Sequence, residues 1–421
     1  MDTPNRSNGY ERVSSGARAL LGLLQPVAGS AAAARMRDLP PQAWDEVLEI
    51  ALRHGVAPLL HRALQSAGAL TGLPHHVRAR LADERRATAL DNLRNYGQFR
   101  RIARALRDRG IPVIALKGLH LAELVYRDIS LRPMSDLDIL VPHSQVEDAV
   151  ATLLKLEYEP KLEFDRDLLS RHDVAITHRR LGTLVEVHWT LAEPTEFYTP
   201  PIEDIWRLAV PVRLGDVDAH AMSPEFLLLH VCAHLAYHHL FAFDLRALCD
   251  IAEVVHACPV LDWAAVVDQG RRHGWGHGVA VALRLARDHL GAAVPADALA
   301  AIGGDALDPQ LLDDALEQLC TSSGIPIKLR CAPNLQALKS PIGWRAKLAI
   351  LWRRIFVSRS ELGLIYGVPE RAARINFYYA VRLRDLVRRY AASARELDLS
   401  APLRAATAAR HARLAKWIND A

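Results

Sequence analysis

The spacing of apolar positions divides the chain into a mixed central segment between two helical ones. AWDEVLEIALRHGVAPLLHRAL and RARLADERRATALDNLRNYGQFRRIARALRDRG carry apolar residues every three or four positions, which predicts amphipathic helices. Gly110 and Pro112 end this pattern, and helical spacing returns in EFLLLHVCAHLAYHHLFAFDLRALCDIAEVVHAC. We therefore predict an N-terminal helical region over 1–108, an α/β core over 109–215 and a C-terminal helical domain over 216–421.

The central segment alternates short strands with helices. VIALKG is an apolar strand that ends in Lys117 and Gly118, and a helix is predicted over 119–126. DLDILV is a second strand, and SQVEDAVATLLKL is an amphipathic helix. DVAITHR and TLVEVHWTL are two further strands around a turn at Leu181 and Gly182. These elements predict an α+β fold, in which a small mixed sheet with helices is flanked by helical regions.

Two carboxylates stand in RPMSDLDILV, a segment that otherwise has the pattern of a buried strand. In a strand Asp136 and Asp138 share one face, while Leu137 and Ile139 face the core. Like charges this close repel, so a cation is expected nearby, and Mg²⁺ binds oxygen ligands of this kind. An Asp-x-Asp at a strand end also serves turns and helix caps, and this motif alone does not decide between these interpretations.

A third acid stands in TLVEVHW, where Glu186 and His188 share one strand face. If this strand lies beside the Asp136 strand, three carboxylates face the same space. Such a set can hold two Mg²⁺ ions, which activate an attacking hydroxyl and stabilise a leaving pyrophosphate. His188 could contact nucleotide or acceptor, or orient a carboxylate.

Phosphate contacts are predicted upstream of the acids. Lys117 supplies charge and Gly118 allows close approach at the start of a helix, which suits a triphosphate. Arg132 and Ser135 flank the acidic pair. For Arg132 two interpretations stay open, binding of a phosphate or of the acids, and a structural ion pair.

The order of these motifs resembles the uncharacterised nucleotidyltransferase family of the polymerase-beta-like nucleotidyltransferase superfamily. The resemblance rests on the strand-Lys-Gly-helix, on RPMSDLDILV and on the acid-x-His-Trp strand, and the flanking helices extend it over roughly residues 40–260. It implies transfer of a nucleoside monophosphate from an NTP, expected to be ATP, to an acceptor hydroxyl. Asp136 and Asp138 would be Mg²⁺ ligands and Glu186 the third acid, which also orients or deprotonates the acceptor.

The sequence departs from the family pattern at two sites, and two alternative functions stay open. Lys117 and Gly118 stand where the superfamily more often has Gly-Ser, and Glu186 stands where many relatives have Asp. Members resemble bacterial enzymes encoded beside peptide-modifying machinery, so the acceptor is expected to be a peptide, a protein or a small metabolite. The alternatives are a kinase that transfers the γ-phosphate and a non-catalytic, antitoxin-like protein that binds nucleotide or a partner.

Composition limits the class of protein. The chain has 421 residues, is 50% hydrophobic and 24% charged, and its five cysteines form no Cys-x-x-Cys pair, so no disulfide framework or zinc knuckle is expected. No apolar run has the length of a membrane span, and the N-terminus lacks the apolar core of a signal peptide, which predicts a cytoplasmic protein.

Charge is unevenly distributed along the chain. From position 341 onward 16 Lys and Arg stand against 6 Asp and Glu, a local charge of +10 against +4 for the whole chain. Such a basic region could contact nucleic acid, acidic lipid or an acidic partner, and a solvated helix surface has the same pattern. Without a recognised nucleic-acid-binding motif, we do not predict a nucleic-acid partner.

Several polar residues of the C-terminal domain have two interpretations. His230, His234 and His238 form one helical stripe that fits zinc ligands or core and interface histidines, and we favour the latter. The metalloprotease pattern is excluded because the glutamate that follows its first histidine is missing. Asp244, Arg246 and Asp250 could reach the nucleotide or pair with each other.

Overall fold

The computed structural model describes residues 13–25, 39–160, 173–192, 201–242, 245–321 and 372–385, with isolated positions near the C-terminus. Asp244 and most of the basic C-terminal region lie outside the described residues. Within the described part, no helix is both long enough and apolar enough to cross a membrane. The boundaries of the three predicted regions stay a prediction.

The N-terminal region is helical, as its apolar spacing predicts. Its helices are α1 (Ser15–Leu23), α2 (Ala43–Arg53), α3 (Ala57–Ser66) and α4 (His75–Arg107). Helix α4 is 33 residues long and begins directly after Pro74. Its chain reverses at Gly110, whose φ of +69° favours glycine.

The seven strands of the described chain form one mixed sheet in the order β3-β4-β5-β2-β1-β7-β6. The strands are β1 (Ile114–Ala115), β2 (Asp136–Leu140), β3 (Tyr158–Pro160), β4 (Asp173–His178), β5 (Leu184–His188), β6 (Val210–Leu214) and β7 (Val217–Ala221). The pairs β2–β5 and β1–β7 are parallel, and the other neighbouring pairs are antiparallel. The sequence patterns found β1, β2, β4 and β5 and missed the other three strands.

Short helices connect the strands and a larger helical set follows them. The connecting helices are α5 (Lys117–His120), α6 (Val146–Leu154) and α7 (Ile202–Arg207). The C-terminal set comprises α8 (Pro224–Ala233), α9 (Leu245–Ala257), α10 (Trp263–Arg272), α11 (Gly276–Leu290), α12 (Ala296–Ala301) and α13 (Pro309–Thr321). Two π-helical turns, Leu121–Val125 and His234–His238, continue α5 and α8.

Two large hydrophobic cores hold these elements together. The first joins buried residues of α1–α3 with those of α8–α13, so the two ends of the described chain share one core. The second lies between the sheet and the helices α4 and α6, and includes Phe99, Leu137 and Val185. Because α4 contributes to both cores, it fixes the sheet relative to the helices.

Candidate active site

The acidic residues lie on two adjacent parallel strands. In the register of β2 and β5, Asp138 is paired with Glu186 and Asp136 with Leu184. Side chains alternate along each strand, and directly paired residues project from the same face of a sheet. Leu137 and Val185 therefore enter the core, where both are fully buried, while the acids face the opposite side.

Asp138 is the centre of this group. Its side chain is 4% exposed, and its Oδ1 accepts hydrogen bonds from His188 Nε2 at 2.9 Å and from Lys117 Nζ at 3.3 Å. The same His188 nitrogen lies 3.6 Å from Oε2 of Glu186. One ligand atom from each of Asp138, Glu186 and His188 lies within 4.8 Å of the other two, which is close enough to surround a single metal ion after small side-chain shifts.

The Lys-Gly turn brings the backbone against this group. Leu116 N donates to the carbonyl oxygen of Asp138 at 3.0 Å, and the next residue, Lys117, has a φ of +35°, a conformation that side chains rarely adopt. A Cβ on Gly118 would lie 2.7 Å from Cγ of Met134 and 2.9 Å from Nη1 of Arg132. A side chain at position 118 would therefore force Met134 and Arg132 to shift, and the turn places the Lys117 ammonium beside Asp138.

The loop that leads into β2 is fixed by side chains from both helical regions. Asn92 of α4 is fully buried, and its Nδ2 donates to the carbonyl oxygens of Ile129 at 2.6 Å and Arg132 at 2.8 Å. Arg246 of α9 donates to the carbonyl oxygen of Pro133 at 3.0 Å. These bonds satisfy carbonyl groups that a loop would otherwise leave to solvent, and so hold the approach to the acidic pair in one conformation.

Arg132 forms an ion pair with Asp250 of α9. Its Nη2 lies 2.9 Å from Asp250 Oδ2, its Nε lies 3.4 Å from Oδ1, and the hydroxyl of Tyr126 donates to Oδ1 at 2.9 Å. Both charged side chains are nearly buried, at 12% and 5% exposure. Of the two interpretations of Arg132, the described contacts contain the structural ion pair, with Asp250 as its partner. Tyr126 belongs to this group through its hydrogen bond to Asp250, and no sequence pattern indicated it.

The family model for uncharacterised nucleotidyltransferases matches residues 40–291. The chain belongs to this nucleotidyltransferase family. A search of curated proteins gives no match. Among solved structures, the antibiotic-resistance factor ANT(2'')-Ia shares 15% identity with this chain, covers 43% of it and 90% of its own length, and superposes with a TM-score of 0.32.

Family membership identifies the chain as a nucleotidyltransferase and its α+β core as the nucleotidyltransferase core. This confirms the resemblance drawn from RPMSDLDILV and the acid-x-His-Trp strand. The roles of the individual residues within that core stay predictions.

The electrostatics of the candidate site centre on one strongly ionised carboxylate, Asp138. Burial alone would raise the pKa of Asp138, but the charge of Lys117 and the hydrogen bond from His188 hold it well below its usual range. Burial and the charge of Asp138 raise the pKa of Asp136, and a hydrogen bond from Ser135 opposes this only in part. The pKa of Glu186 is also raised, because burial and Asp138 outweigh the hydrogen bond from His188.

Asp138 in turn stabilises the charged forms of its two neighbours, His188 and Lys117. Burial disfavours a charged His188, but its hydrogen bonds to Asp138 and Glu186 raise its pKa to about 9. Burial likewise opposes the charge of Lys117, and Asp138 overrides it and raises the pKa. The candidate site thus contains paired, buried charges of both signs, an arrangement typical of functional sites.

Proposed function

We propose that the protein is a Mg²⁺-dependent nucleotidyltransferase that moves an NMP from an NTP, most simply ATP, to an acceptor hydroxyl and releases pyrophosphate. One observation carries this proposal: the strand register brings Glu186 directly beside Asp138, with Asp136 on the same face of the same strand. Membership of a nucleotidyltransferase family supplies the reaction class.

The donor set fits Mg²⁺. Asp138 and Glu186 converge with His188 within 4.8 Å, and Asp136, which is not in this group, lies on the same face of β2. The three carboxylates offer the oxygen ligands that this hard cation prefers and would hold one or two ions. When bound, Mg²⁺ supplies charge neutralisation for the phosphates and for the attacking and leaving oxygens. His188, which donates to Asp138 and approaches Glu186, would fix the orientation of both carboxylates.

The remaining predicted residues would position the nucleotide. Lys117 places a fixed positive charge next to Asp138, and Gly118 keeps the turn tight against Met134. The Ser135 side chain hydrogen-bonds Asp136, and Arg132, fixed by Asp250, would shape the loop before β2. Phosphoryl-type transfer depends mainly on such positioning and charge neutralisation.

Product analysis tests the proposal. The full chain is incubated with each NTP and Mg²⁺, in wild type and in the isosteric variant Asp136→Asn/Asp138→Asn, with Asp305→Asn at an exposed carboxylate as the matched control. We expect pyrophosphate and an NMP adduct from wild type and control and neither from the double variant. NDP in place of pyrophosphate would identify γ-phosphate transfer instead, and absence of nucleotide binding by wild type would favour the partner-binding alternative.

The acceptor is proposed to be a peptide, a protein or a small metabolite, and the site of action the cytoplasm. The side chain of Glu186 is 26% exposed and so accessible to a hydroxyl nucleophile, whereas Asp138 is buried. This difference supports assigning contact with the acceptor to Glu186. Incubating labelled ATP with candidate acceptors and locating the label by mass spectrometry identifies the class.

A further inference from the structure

A cluster of histidines lies where helix α8 ends. The helix continues into the π-helical turn His234–His238, in which His239 N donates to the carbonyl oxygen of His234 at 3.1 Å. In an α-helix the side chains at positions 230, 234 and 238 would share a stripe, as the sequence pattern predicts. The wider turn adds the side chain of position 239 to this group, and π-helical turns of this kind occur often at functional sites.

The rings of His234, His238 and His239 lie together. The centroid distances are 5.1 Å between His234 and His238, 4.4 Å between His234 and His239, and 4.8 Å between His238 and His239. One ring nitrogen from each residue lies within 4.8 Å of the other two. His238 is exposed and the other two are half-buried, so the group is accessible from solvent.

The backbone after this turn is strained, and packing holds it in place. Leu240 and Phe241 have φ values of +47° and +58°, and both side chains are buried. Gln318, fully buried on α13, donates to the carbonyl oxygen of Leu240 at 2.6 Å. A residue other than glycine adopts a strained backbone conformation of this kind only when the surrounding structure holds it there. Such strain is concentrated at functional sites.

A fourth histidine stands next to this cluster. His230, one helical turn before His234, has a buried Nε2 without a hydrogen-bond partner among the described residues, and its ring centroid lies 6.1 Å from that of His234.

We propose that His234, His238 and His239 form a binding site for a divalent transition-metal ion such as Zn²⁺, distinct from the carboxylate site. Three nitrogen ligands leave a coordination position for water or a ligand oxygen, as in open zinc sites, and imidazole selects Zn²⁺ and its neighbours over Mg²⁺.

Metal titration of the full chain tests this site without nucleotide or turnover, so its outcome is independent of the proposed reaction. Chelator-treated protein is titrated with Co²⁺, followed by its visible d–d absorption, and then with competing Zn²⁺. The same titration is run on His238→Ala, His234→Ala/His239→Ala and the control His256→Ala, an exposed histidine of α9. The variant Asp136→Asn/Asp138→Asn removes the carboxylates as a second control.

We expect about one equivalent of Co²⁺, displaced by Zn²⁺ and not by Mg²⁺, in wild type and both controls, and none in His234→Ala/His239→Ala. His238→Ala removes an exposed ring with the least effect on packing, and we expect it to bind at reduced affinity with an unchanged circular dichroism spectrum. Equal binding by wild type and both cluster variants would overturn the proposal. Loss of binding only in the aspartate variant would assign the metal to the carboxylates instead.

Discussion

Acid should weaken the contact between the two helical regions through one buried histidine. His54 follows the last residue of α2, is 1% exposed, and accepts a hydrogen bond at Nδ1 from the backbone N of Leu245, the first residue of α9. Burial lowers the pKa of His54 from 6.5 to about 4, and the charge of Arg53 acts in the same direction. Protonation would remove the acceptor lone pair and place a charge in the shared core.

The magnitude follows from the two pKa values. Between pH 6.5 and pH 4 the unfolded chain binds a proton at His54 and the folded chain does not, so the free energy of unfolding falls as the pH falls through this window. Linkage for a shift from 6.5 to about 4 gives a loss of about 2 kcal/mol between pH 7 and pH 5 from this residue alone.

The substitution His54→Asn isolates this contribution, because the Asn side-chain oxygen can accept the Leu245 N–H and does not titrate. Urea unfolding followed by tryptophan fluorescence at pH 7 and pH 5 measures the free energy of unfolding of each protein. Wild type should lose about 2 kcal/mol more than His54→Asn over this interval, and the exposed-site control His256→Asn should behave as wild type. Equal losses in wild type and His54→Asn would refute the reasoning.

Three further predictions concern the active site. The methyl group of Gly118→Ala would lie 2.7 Å from Cγ of Met134 and 2.9 Å from Nη1 of Arg132, so both side chains would have to shift. This variant should reduce nucleotide affinity and cost about 1–3 kcal/mol in unfolding experiments. Asp250→Ala would leave the nearly buried Arg132 without this counter-ion and should destabilise the protein by about 3–5 kcal/mol, measured by urea unfolding, with Asp250→Asn less severe. Glu186→Gln should lower kcat by about 10²–10⁴-fold with little change in NTP binding if Glu186 deprotonates the acceptor, and an unchanged kcat would remove it from that role.

Local periodicity was sufficient to predict the individual strands of the candidate site. The alternation of side chains places Asp136 with Asp138, and Glu186 with His188, because each pair lies within a single strand. The pairing of β2 with β5 joins segments nearly 50 residues apart, and periodicity carries no information about such a neighbour. The resemblance of the motifs to a known family indicated that these two strands are neighbours.

The missed features depend on tertiary contacts. Strands β6 and β3 contain Pro211 and Pro160, which argue against a strand unless it lies at the edge of a sheet, and both are edge strands here. His239 lies beside His234 and His238 because the chain forms a π-helical turn here, which α-helical spacing cannot predict. The contact between Arg132 and Asp250 spans 118 residues of sequence.

The helical regions are part of the proposed active site, because their side chains hold the loop before β2 in place. The loop before β2 would be free to move if only the sheet held it, since its carbonyl groups bond to side chains outside the core segment. Asn92 of α4 binds two of these carbonyl groups from the N-terminal side, and Arg246 and Asp250 of α9 hold Pro133 and Arg132 from the C-terminal side. Catalysis by charge placement requires groups that are already fixed before the substrate binds. The predicted core segment 109–215 therefore contains the acids of the proposed reaction, whereas the rigidity that such a reaction needs comes from helices on both sides of it.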